Sequence, residues 1–104
     1  MPWIALFAAG VFEIVFASAL KMGAGNPRSA SMAIAVISLV ASLALLTYAL
    51  RSLPVGTAYA VWTGIGAIGT AIVGIFMFGD SYSLLKSTCL ALIIAGVAGL
   101  RLAD

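Results

Sequence analysis

One carboxylate, one serine and two aromatic side chains are the residues of this chain best placed to do chemistry together. Glu13 lies within residues 2–20, a segment with no other charge that is long enough to cross a bilayer. An ionised carboxylate at that depth costs from about 2.5 kcal/mol to above about 10 kcal/mol. It therefore faces a cavity, meets a cation or takes up a proton, and each outcome describes a site that trades small cations against protons. On a helix, Leu6, Ala9, Gly10, Phe16, Ala17 and Leu20 share the Glu13 face. Ala9, Gly10 and Ala17 are small, so they leave room beside the acid or let a neighbouring helix approach closely.

Two further segments supply partners. Ser31, Ser38 and Ser42 recur at helical spacings of seven and four. Serines in membrane helices often bond back to their own backbone, and that reading competes evenly with a site role. Ser42, nearest the middle of its segment, is expected to donate to Glu13. Tyr59, Trp62, Thr63, Gly66, Gly69, Thr70 and Val73 fall on one face of the next segment. Aromatic residues at membrane interfaces form belts, which suits Trp3 and Tyr48 and competes evenly with a site role for Tyr59. Trp62 lies deeper. Its N–H wants a partner, for which Glu13 is the obvious acceptor, and its ring offers a face to a cation. Gly64 and Gly66 mark either a hinge or a tight packing contact. Ala95, Gly96 and Gly99 form a small-residue surface suited to helix association, although such patterns arise by chance in Ala- and Gly-rich helices.

The elements that position these residues follow from composition. Of 104 residues, 64% are hydrophobic and 8% charged, against about 25% charged in a soluble domain. Four spanning helices are expected, over residues 3–20, 29–50, 55–78 and 83–102, in one all-α membrane domain covering 1–104. The Gly- and Pro-bearing stretch 23–27, Arg51 with Pro54, and Gly79-Asp80 separate them. Lys86 and Arg101, near the ends of the fourth span, can reach the interface. No basic residue precedes the first span and Glu13 interrupts it, so it is read as retained rather than as a cleaved signal. A net charge of +2 is too small for a nucleic-acid footprint. The chain has no His and one Cys, so neither a metal nor another cofactor is called for. Cys89 reads as a small buried hydrophobe.

Short links make consecutive helices antiparallel neighbours and bring both termini to one side. Arg51 and Arg101 lie on that side; Lys21, Arg28 and Lys86 lie on the other. Two against three is almost no bias for the positive-inside rule. The slight excess favours a cytoplasmic three-residue side. The near balance favours insertion both ways, which permits an antiparallel homodimer. A bundle of four helices has little interior for Glu13, and two copies with facing first helices can build a cavity.

The four short spans, the lone Glu13 in the first and PVGTAYAVWTGIGAIG (54–69) together resemble the small multidrug resistance family over the whole chain. WTGIGA with Ser42, and the opening MPWI…GVFE, resemble its guanidinium-exporting branch. The resemblance implies a proton-coupled antiporter, not an enzyme, working as an antiparallel dimer in a prokaryotic cell (inner) membrane. It implies Glu13 as the shared proton and substrate carboxylate, with Tyr59 and Trp62 lining the site. The branch usually carries Trp where this chain has Phe16, so an aromatic face is kept and an N–H donor is lost. Asp80 and Arg101 replace the commoner Glu and Lys. Guanidinium is planar and its parallel N–H groups match a carboxylate fork. Two Glu13 carboxyls facing each other would titrate as a coupled pair, neutralised by protons or by the cation. The alternatives are a broad exporter of quaternary ammonium cations, a passive pore, a structural subunit, and a heterodimer with a sister chain.

Overall fold

The computed structural model describes residues 1–24 and 29–103. Part of the expected break at 23–27, together with Arg28, lies outside the described residues. Among the described residues the chain forms four helices and no strand: α1 (Pro2–Met22), α2 (Ala30–Leu50), α3 (Val55–Met77) and α4 (Leu84–Ala103). Each is long and apolar enough to cross a membrane.

The helix ends follow local chemistry. Pro2 opens α1, where its missing N–H removes no helical bond. The Ser29 hydroxyl accepts the Met32 N–H at 3.3 Å and caps α2. Ser83 does the same for the Lys86 N–H at 3.0 Å at the start of α4. Beyond α3, Gly79 takes a left-handed φ of 70°, which glycine adopts without steric cost. The reversal returns the chain so that the Asp80 N–H bonds the Gly74 carbonyl at 3.0 Å.

The packing order is α2–α1–α3–α4. Helix α1 is central and packs against both α2 and α3, while α4 packs on α3. Helices α2 and α3, although joined by a short link, make little contact, which corrects the expectation that all consecutive helices are close neighbours. The small residues of α1 explain the order, because both flanking helices can approach it closely. Gly10 lies so near Ile65 that an added Cβ would sit 2.5 Å from its Cγ2, and one on Gly69 would overlap Ile14. Such close approach supplies the van der Waals contact that holds helices together in lipid, where the hydrophobic effect does not act between them.

The result is a slab of 41 × 35 × 16 Å. A helix with its side chains is about 10–12 Å across, so four helices in 16 Å enclose a small interior. That interior lies around Leu6, Ala9, Leu46, Ala49, Ala58 and Val61. Trp3 belongs to it, only 7% exposed, with the Arg101 guanidinium 4.7 Å from its ring centroid. Cation–π stacking with Arg101 and packing among the helices hold the Trp3 ring against the chain near the end of α1. Helix α4 buries no residue. Cys89 on it is exposed rather than buried.

Candidate cation site

Glu13 stands on the side of α1 that faces α3. Its neighbour there is Gly66, where an added Cβ would come within 2.9 Å of the Glu13 Cγ. The glycine lets the acid lie flat against α3, and its Oε2 is buried without a hydrogen-bond partner. A buried unpaired carboxylate oxygen is costly, so its environment must supply a proton or a cation.

The acid borders a cleft of about 410 Å³. From α1 come Glu13 and Ala17; from α3 come Tyr59, Trp62, Thr63, Gly66, Ala67 and Thr70. The Tyr59 and Trp62 ring centroids are 5.6 Å apart, inclined at 56°. Acid on one wall and π faces on the other suit an organic cation, whose charge both attract. The α3 lining takes Tyr59, Trp62, Thr63, Gly66 and Thr70 from the helical stripe visible in the sequence and adds Ala67, while Gly69 packs on Ile14 and Val73 lies off the cleft. An alanine beside larger polar side chains carries no signal of its own.

Ser42 is fully buried and fills a different role from the expected one. It does not reach Glu13. Its hydroxyl donates to the Ala9 carbonyl at 2.7 Å and accepts the Trp62 indole N–H at 2.9 Å. The expected Trp62–Glu13 hydrogen bond is corrected in the same way, since the indole N–H is already committed to Ser42. The reason is the packing order: α1 separates α2 from the cleft, so Ser42 meets the backbone of α1 behind the acid. The helical ladder pairs that same Ala9 carbonyl with the Glu13 N–H. Ser42 thus ties the Trp62 ring to the turn that carries the acid.

Other expected site residues are placed as follows. Gly10 is buried against Ile65 and does not line the cleft, because Ile65 of α3 fills the space beside it. Phe16 is half-buried and also lies off the cleft lining, since it leaves α1 on the flank of Glu13 opposite to Ala17. Helix α3 runs unbroken through Gly64 and Gly66, which serve as points of close approach, Gly64 to Val97 and Gly66 to Glu13. Ala95, Gly96 and Gly99 are exposed, and a Cβ on Gly96 or Gly99 would meet nothing within 4 Å.

An all-α chain with four helices long and apolar enough to span a membrane defines a multi-pass membrane protein, and the cleft beside Glu13 is its candidate cation site. The chain belongs to the small multidrug resistance family: the family model described as "Small Multidrug Resistance protein" matches residues 1–93. The family's role is transport rather than catalysis. Among similar proteins, the "Guanidinium exporter" of Yersinia pestis is 52% identical over 104 residues, covering all of both chains. That of Proteus vulgaris is 48% identical over 104 residues, again covering both completely. That of Escherichia coli K12 is 50% identical over 102 residues, covering 98% of this chain and 97% of the relative.

Proposed function

We propose that this protein exports guanidinium or small guanidinyl cations from the cell in exchange for protons, with Glu13 as the group both compete for. The carrying observation is the buried, unpartnered Glu13 Oε2 at the wall of a cleft lined by Tyr59 and Trp62. Similarity to guanidinium exporters over the whole chain supports the substrate. A carboxylate can be neutralised by a proton or by the cation, so loading one releases the other. If the site opens to one side at a time, the proton gradient drives export.

The working unit is a dimer, formed with a second copy in antiparallel orientation or with a sister subunit. Tyr59 is 58% exposed in one chain, so a second chain is needed to close the cleft and exclude lipid from it. The open surface at Ala95, Gly96 and Gly99 is a suitable association face. In this reading two Glu13 carboxylates clamp the planar cation from both sides, Ser42 and Trp62 orient the site, and Gly64 and Gly66 let α3 bend as access changes sides.

A second reading, export of quaternary ammonium cations, is favoured by one observation. The cleft volume of about 410 Å³ exceeds what bare guanidinium fills and falls within the range of small-molecule pockets. Proton-coupled uptake into proteoliposomes, with guanidinium and tetraethylammonium in parallel, separates the two. Guanidinium alone is expected to drive proton movement. Proton movement driven by tetraethylammonium alone would give the site to the second reading, and currents without proton counter-flow would reject antiport.

A further inference from the structure

The space beside Glu13 does not end at Thr70. Ala17 and Thr70 also line a second cavity of about 170 Å³, whose other walls are Ser18, Lys21, Gly74, Phe78 and Asp80. The two cavities share these walls and therefore adjoin. Together they follow one seam between helices: Glu13, Ala17 and Lys21 on α1, four residues apart, opposite Gly66, Thr70 and Gly74 on α3, also four apart. From Gly66 to Gly74 no side chain larger than threonine stands on the α3 side of this register, and Phe78, the next position, lines the far end of the second cavity.

Two observations give the seam a polar character beyond its small residues. The Ser18 hydroxyl is buried without a hydrogen-bond partner. A buried hydroxyl left in that condition is costly unless water reaches it, and an adjoining cavity with polar walls can hold water. At the far end, the turn at Gly79 folds Asp80 back over α3, where its carboxylate occupies the place a Gly74 side chain would take. Among the described residues, the charged groups along the seam are Glu13, Lys21 and Asp80, and none of them forms an ion pair.

We propose that this seam is a hydrated proton path between Glu13 and the Lys21/Asp80 end of the bundle, with Ser18 as a positioning residue for its water and Asp80 as the proton-exchanging group at its mouth. The inference rests on the reading of Glu13 as the proton-exchanging acid. Protons cross apolar protein along hydrogen-bonded water and hydroxyls, and the seam provides them where the rest of the α1–α3 contact is sealed by Ile14 and Ile65.

The test uses the full chain in proteoliposomes. Guanidinium-driven proton flux and equilibrium guanidinium affinity are measured for wild type, Ser18→Val, Ser18→Thr and Asp80→Asn. Ser18→Val and Asp80→Asn are expected to slow the flux about fivefold, the rate equivalent of one lost hydrogen bond, with affinity at fixed pH unchanged and Ser18→Thr restoring the rate. In a Cys89→Ala background, Ser18→Cys is expected to react with a water-soluble, positively charged methanethiosulfonate much faster than Val40→Cys on the exposed face of α2. Wild-type flux at undiminished rate in both Ser18→Val and Asp80→Asn, or Ser18→Cys reacting no faster than Val40→Cys, would overturn the path alone. Absence of guanidinium–proton exchange in the wild type would overturn the path and the underlying reading together.

Discussion

Replacing Ser42 by alanine separates a site residue that touches substrate from one that holds the site's wall. Ser42 is wholly buried, lies on α2 behind α1, and makes two hydrogen bonds, to the Ala9 carbonyl and from the Trp62 N–H. Ser42→Ala removes both. Hydrogen bonds between membrane helices average about 0.6 kcal/mol, so two amount to about 1.2 kcal/mol. At about 1 kcal/mol each, as in soluble proteins, they amount to about 2 kcal/mol. If the loss falls on the geometry of the binding state, guanidinium affinity drops about eightfold on the first figure and about thirtyfold on the second. The Ala9 carbonyl keeps its helical partner, whereas the Trp62 N–H is orphaned, so the ring turns and the cleft wall moves with it. A hydrophobic ammonium ion needs only the ring's area and tolerates that turn better than guanidinium, which needs fixed donor directions. The assay is isothermal titration of purified protein with guanidinium and with tetraethylammonium, alongside indole fluorescence to report the ring. Unchanged affinity for both cations, or equal loss for both, would refute the positioning argument.

Three further outcomes follow. Glu13→Gln, nearly isosteric and uncharged, is expected to abolish guanidinium-coupled proton flux while leaving membrane insertion and dimerisation intact; retained flux in proteoliposomes would overturn the assignment of Glu13. Acidification is expected to weaken guanidinium binding, by up to about tenfold per pH unit per carboxylate once that carboxylate holds its proton, because proton and cation compete; titration calorimetry across pH should show this in wild type, and a flat profile would exclude competition. Gly66→Ala places a methyl 2.9 Å from the Glu13 Cγ; overpacking of this kind costs about 1–3 kcal/mol. It should appear as a lower thermal midpoint in detergent together with weaker guanidinium binding, and a variant unaltered in both would show that the α1–α3 contact is looser than it appears.

Much of the site was legible from residue type and spacing. A charge isolated in an apolar span is visible because its energetic cost is large and independent of its neighbours. The α3 lining was visible because a helix presents every third or fourth residue on one face, so Tyr59, Trp62, Thr63, Gly66 and Thr70 had to point together. Gly10 and Phe16 were less legible. Sharing a helix face with Glu13 does not determine which flank meets α3 and which meets another surface, and that depends on where α3 lies.

The amino-acid sequence alone determined the number of spanning helices, the acid that must be neutralised and the stripe of α3 that accompanies it. These depend on hydropathy, helical periodicity and the cost of charge in lipid, all of which act locally along the chain. Only the tertiary structure decided that α1 stands between α2 and α3, that Ser42 therefore bonds Trp62 and Ala9 rather than Glu13, and that Asp80 folds back over Gly74. Those pairings depend on how closely helices approach one another. Approach is decided by the fit of small residues against large ones on two elements at once, as Gly69 meets Ile14 and Gly66 meets Glu13, and no single segment of the chain carries that information.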